Sequence, residues 1–315
     1  MKKIFTKILY LASQLNHRGL APEHHYYIRD NYLCRIVQIK YLFDDYLIKK
    51  KYKEISYHGE FQQELLFVLP FAYWHSLNGT LNSTISCTGT KDLYFFSSNH
   101  KEEFFERDWE SNYSSFEVPN MTHCVTFDYS KWLPVPLKSY YKNDTFLYDK
   151  PPIIIANKYN MEWGGPPVNY FSVPVLERMI NLLKTNYTII YNRPSGKNIV
   201  SDNSEIMELN DYDYLRSEHP DVVLLEDMYL KHQGTVNSFN HFQLLLYANC
   251  DNFVSVHGGT AALASCFGGK NIIFSKKGIE HPMNEFATIF PKLSGATILH
   301  AKSEDDIFSY LHEYY

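Results

Sequence analysis

Five short apolar runs punctuate the second half of the chain, at 153–156, 187–191, 222–225, 253–256 and 271–274. Each is apolar almost throughout rather than at alternate positions, the pattern of a strand covered on both faces. Strands of that kind belong to parallel sheets, and a parallel pair needs a crossover connection, usually a helix. The intervening sequence supplies them: residues 174–185 follow the loop after the first run, and 239–249 and 260–267 separate the last three. These features predict an α/β unit from residue 151 onward, built on a doubly wound parallel sheet. A sixth strand at 296–299 leads to an amphipathic helix, with Ser303 as N-cap and Glu304, Asp305 and Asp306 in its first turn.

The first half reads differently at its start. Ile28, Tyr32, Ile36, Ile39, Phe43 and Leu47 recur at helical spacing, predicting a helix over about 28–52 that ends in Lys49, Lys50 and Lys51. Residues 53–57 then read as a strand, His58 and Gly59 as a turn, 60–77 as a helix closed by Asn78 and Gly79, and 84–87 as a second strand. Strand, helix and strand with tight connections make a βαβ unit. A further strand is expected at 124–127, and the proline-bearing stretch 134–149 reads as a linker. With 315 residues there is room for two cores, so two domains are expected, 1–150 with a helical extension and 151–315.

Composition narrows the function classes. At 45% hydrophobic and 21% charged residues the chain is globular, and a net charge of −5 leaves no basic field for a phosphate backbone, so no nucleic-acid partner is expected. Cys34, Cys87, Cys124, Cys250 and Cys266 are odd in number and lack zinc-ligand spacing, which suits reduced thiols and a cytoplasmic location. No secretion signal is expected, and the most apolar run, 65–74, falls far short of the roughly 20 residues of a spanning helix.

The strongest candidate site is 256–264, where a buried strand meets Gly258 and Gly259 and a helix opens at Thr260. Glycines let backbone approach a ligand, and the first N–H groups of a helix suit an anion such as a diphosphate. His257 either donates to a phosphate or satisfies a local carbonyl, and the small residues Ala261, Ala262 and Ala264 also serve close helix–sheet packing. Neighbouring strand ends present Asn157, Lys158 and Arg193, of which the two cations can neutralise a leaving diphosphate or stand as ordinary surface charges. The stretch from Glu280 to Glu285 offers carboxylates for ribose hydroxyls, with Glu285 the chosen candidate. In the first half, His58 and Glu60 sit at a strand-to-helix junction, each a candidate general base; Glu60 alternatively serves the helix dipole. Asp211 and Asp213 form a literal DxD, a pattern that in some sugar transferases holds a divalent cation.

Two such halves, with a glycine pair opening a helix late in the second, resemble the GT-B glycosyltransferases, over most of residues 53–314. Within them, residues 58–65, with Gly59 and Gln63, look like a distant form of the glycine-rich first turn of fucosyltransferase-like enzymes. Glu60, Phe61 and Gln62 depart from that pattern, and residues 156–160 lack the family's arginine-rich motif. The resemblance implies two Rossmann-like domains around a deep cleft, with the last helix packing back on the first domain. It further implies transfer from a nucleotide-sugar donor to an oligosaccharide or glycan hydroxyl, with inversion and without a metal cofactor. A metal-dependent transferase using Asp211 and Asp213, and a non-catalytic nucleotide- or glycan-binding module, are the alternatives.

Overall fold

The computed structural model describes residues 2–108, 116–200 and 205–315. Among them the strands form two sheets, both parallel throughout. In the first half β1 (Lys53–Ser56), β2 (Leu81–Cys87) and β3 (His100–Phe104) lie in the order β1-β2-β3. The second half holds β4 (Pro152–Ala156), β5 (Thr188–Asn192), β6 (Val223–Leu224), β7 (Asn252–Val256), β8 (Lys270–Phe274) and β9 (Thr297–Ala301). Their spatial order is β6-β5-β4-β7-β8-β9. The chain thus steps outward from β4 to β6, returns to the other side of β4, and steps outward again. That reversal is the doubly wound arrangement expected from the sequence, and it opens a crevice between the ends of β4 and β7.

Alternation along the strands divides the core. Ile153, Ile155, Val254, Val256, Ile272 and Phe274 face the helices Val173–Leu183 and Glu304–Tyr314, which cover one side of the sheet. Ile154, Ala156, Phe253 and Ile273 face the other way, against Phe239–Ala248 and Gly259–Ser265. This second layer runs without a break into the first half, where Leu65, Phe67 and Phe71 belong to the same cluster. One apolar core therefore joins the two sheets.

Several expectations are corrected. The stretch 134–149 contains a helix, Leu137–Tyr141, whose Leu137 and Tyr141 are buried in the shared core, so it is packed structure. The last helix is capped as read, with a reciprocal box between Ser303 and Asp306. It turns Ile307, Phe308 and Leu311 to the six-stranded sheet of its own half, rather than to the first half. Residues 124–127 are irregular, and the third strand of the first sheet is β3, whose polar, half-exposed edge sequence carries no apolar signal. The helix expected over 28–52 ends at Ile39 and is followed by a π-helical turn, Asp44–Ile48.

The helix after β1 also contains a π-helical turn, Glu64–Val68. It presents Glu64 to the protein interior, where Ser86 and Tyr94 donate hydroxyls to one carboxylate oxygen and Arg107 pairs with the other at 2.7 Å. Arg107 also donates to the Gly59 carbonyl at 2.7 Å, so one buried charge cluster fixes the turn that follows β1.

The tightest backbone approach in the second sheet is at Gly269, with φ of +66°. A Cβ there would lie 2.0 Å from the Asp251 carbonyl oxygen, on top of an unfavourable backbone conformation. Gly269→Ala is expected to cost about 3 kcal/mol or more. A chemical-denaturation midpoint equal to that of the unaltered chain would show that the approach is not a constraint.

Candidate functional site

A cavity of about 900 Å³ occupies the crevice beyond the carboxyl ends of β4 and β7. Both halves line it: Glu60, Gln62 and His123 from one, Lys158, Gly258 and Glu280 from the other. A smaller cavity of about 380 Å³, around Lys150 and Lys184, lies at the opposite end of the sheet, near the starts of β4 and β5. Ligands of open parallel sheets bind at carboxyl ends beside the switch point, which selects the larger cavity.

The glycine pair is built for close approach on two sides. Gly258 has φ of +114°, and the position a Cβ would take is 3.6 Å from Lys158 Nζ, so bare backbone and a cation share one edge of the cleft. Gly259 faces the first half, where an added Cβ would meet Phe61 Cδ1 at 3.0 Å. Thr260 is turned inward, its hydroxyl donating to the Val256 carbonyl at 2.6 Å. All three line the cleft, but the Thr260 hydroxyl and the Cβ side of Gly259 are taken up by packing, whereas Gly258 sets bare backbone beside a cation.

The expected donor-side residues separate in the same way. Asn157 lines the cleft, yet its amide is spent on the loop after β4: it donates to Phe171 O at 3.0 Å and Tyr191 Oη at 2.9 Å, and accepts from Lys158 N and Phe171 N. Arg193 also reaches the cleft but is clamped by Asp211 through bonds of 2.7 and 2.6 Å. Asp211 takes the Tyr191 hydroxyl as well, whereas the Asp213 side chain is 90% exposed beside Arg216. The two carboxylates of the DxD therefore diverge, one buried in an ion pair and one in solvent. Lys158 pairs with Glu162 and retains access to the cleft.

His58 is not brought to the cleft lining: its ring stacks on Phe104 with centroids 4.3 Å apart, at the edge of the first sheet. Glu60 is exposed on the cleft, immediately ahead of the helix that carries Phe61. Glu285 does not line the cavity either; it is fully buried against His123 Nδ1. Its neighbour in the same stretch, Glu280, lines the cleft instead, accepting from Gln62 Nε2 at 2.9 Å with His257 Nε2 at 3.2 Å. Burial opposes its charge, but His257, His123 and Gln62 hold the Glu280 carboxyl well below the usual carboxylate range.

His123, Gln62 and Trp163 are among the cleft residues to which the sequence assigned no role, and Glu280 takes the place that Glu285 was expected to fill. His123 and Trp163 stand in irregular segments without a motif, whereas Gln62 lies in the 58–65 turn and Glu280 in the acidic stretch 280–285. Trp163 is 59% exposed with its ring parallel to that of His257, an aromatic face at the cleft. Comparison with protein-family models, curated proteins and solved structures gave no match. What the cleft does is argued from its own chemistry, because the sheet topology alone hosts many activities.

That chemistry centres on His123. Burial disfavours the charged ring, but the charge and hydrogen bond of the adjacent Glu285 carboxylate, joined by the charges of Glu280 and Glu60, together lift the pKa to about 9. Burial raises Glu285 too, so the pair keeps its proton through neutral pH. With Nδ1 held by Glu285, the ring stands in the lining of the cleft. A pKa raised from 6.5 to about 9 on folding stabilises fully below pH 6.5, and that contribution is lost as pH rises through 9. Unfolding free energy is expected to fall by up to about 3 kcal/mol over this interval, and His123→Gln to flatten the slope. Equal slopes in denaturant titrations of the two proteins across that range would refute the assignment.

Proposed function

We propose that the chain is a glycosyltransferase of the GT-B kind, moving a sugar from a nucleotide-sugar donor to a glycan hydroxyl with inversion and without a metal. The observation that carries this reading is the large cleft at the switch point of the second sheet, lined by side chains of both halves. Such a cleft suits a reaction that must hold two substrates face to face and exclude water.

In this reading the donor diphosphate lies along the bare backbone of Gly258, and Lys158 exchanges its contact with Glu162 for a phosphate oxygen. The Trp163 ring supplies a flat surface for the base or the sugar. Glu60 takes the proton from the acceptor hydroxyl as its oxygen bonds to the anomeric carbon. The bond from that carbon to the diphosphate breaks, and its electron pair leaves with the phosphate, where Lys158 and protonated His123 balance the growing charge. Glu280, fixed by Gln62 and His257, adds a carboxylate to the cleft lining, while its second oxygen is buried with no protein partner among the described residues. The metal-dependent alternative is disfavoured because Asp211 is already committed to Arg193.

A thermal-shift panel of GDP, UDP, dTDP, ADP and CMP, with and without EDTA, tests the donor site. A true donor nucleotide at about 100 times its dissociation constant stabilises by roughly 2.7 kcal/mol, and Lys158→Gln is expected to remove most of that response. Silence from every nucleotide would defeat the reading, and a response abolished by EDTA would revive the metal-dependent one. With the responding nucleotide sugar in hand, Glu60→Gln should lower turnover by about 10²–10⁴-fold with little change in nucleotide binding. Binding with neither transfer nor donor hydrolysis would instead indicate a binding module.

A further inference from the structure

The first helix, Lys2–Asn16, is amphipathic with its apolar side turned outward. Toward the body it presents Ser13, which is buried and bonded to His25, and Tyr10, whose ring meets those of His25 and Tyr26. Toward solvent it presents Ile4, Ile8, Leu11 and Leu15, exposed by 66, 56, 57 and 65%. Their spacing of four, three and four residues makes one continuous stripe, with exposed Lys3 and Lys7 beside it. A second apolar group follows at the end of the next helix, where Ile39, Phe43 and Leu47 are 63, 61 and 71% exposed. Lys40, Lys49, Lys50 and Lys51, close to it in sequence, are exposed as well. Of the 21 large hydrophobic side chains exposed among the described residues, 13 lie in the first 51 residues.

Charge follows the same boundary. Residues 1–51 carry ten Lys and Arg against four Asp and Glu, a net of +6 in a chain whose total is −5. Of the four acids, Asp30 and Asp45 are buried and paired with Arg29 and Lys131. A surface that joins apolar stripes to lysines matches the interface of an anionic bilayer, where the stripe enters the acyl boundary and the lysines meet lipid phosphates. A second copy of the chain fits less well, because it would set +6 against +6. At about 1.5 Å per residue the 15-residue first helix is too short to span a bilayer, and no described helix is long and apolar enough to cross one. We propose that the helical segment of residues 2–51 docks the protein flat on an anionic lipid surface. This inference is independent of the activity proposed for the cleft.

Co-sedimentation of the full chain with vesicles tests it, using phosphatidylcholine alone and phosphatidylcholine with added phosphatidylglycerol. Binding is expected only, or at least about tenfold more strongly, with the anionic vesicles, and to weaken as salt is raised. Leu11→Glu removes apolar contact from an exposed position, and Lys50→Glu reverses one charge; each is expected to reduce binding at least threefold with an unchanged melting temperature. Failure to bind anionic vesicles, or equal binding to both kinds, overturns the proposal. So does a dimer in solution that Leu11→Glu dissociates while vesicle binding is unaffected, since the stripe would then be a protein interface.

Discussion

The architecture of the cleft depends on how closely one backbone can approach another chain segment at Gly259. With no Cβ there, Phe61 of the first half settles against the start of the helix that follows β7. That contact brings the neighbouring Gln62 to Glu280, and Glu280 to His257, so a polar bridge crosses the same seam. The apolar layer beneath it is continuous from Phe67 to Phe253. Hydrophobic burial drives the two halves together without preferring one orientation, while the close approach and the bridge select the orientation that leaves a cavity at the switch point.

Buried ion pairs hold segments at the site and beyond it in register. Arg193 with Asp211, Arg107 with Glu64 and Lys131 with Asp45 are each almost wholly withdrawn from water. Pairs of this kind contribute little net stability, since the loss of hydration offsets their attraction, but breaking one strands a charge at a cost of about 3–5 kcal/mol. Their effect is to penalise alternatives: a loop that shifted would abandon its partner. This explains why cations near the cleft differ so much in availability. Arg193 is fixed by two hydrogen bonds to a buried carboxylate, whereas Lys158 is held by one flexible contact at the cleft's edge.

Much of the second sheet was legible in the sequence because strands buried on both faces leave unbroken apolar runs, and five such runs at regular intervals admit few topologies. The first half was less so. β3 is a polar edge strand, and the irregular 124–127 segment carries an apolar pattern because Cys124 is buried, not because it pairs in a sheet. At the site, Gly258 and Lys158 could be picked out because they follow strand ends directly. Arg193, Asn157 and Glu285 could be placed near the crevice but not assigned a partner, since what occupies each is a residue far along the chain or across a turn. The His123–Glu285 pair joins residues 162 positions apart, and no local pattern announces such a meeting.

The π-helical turn at Glu64 has a consequence for how this sequence can drift over evolutionary time. Ser86, Tyr94 and Arg107 all converge on one carboxylate that the extra residue of the turn pushes into the core. Losing the acid strands the arginine, losing the arginine strands the acid, and restoring an ordinary helix displaces both. The path to any other solution therefore runs through intermediates worse than either end. Lineages descending from this chain should keep or exchange the whole set together, and the one-residue offset in the helix should travel with it.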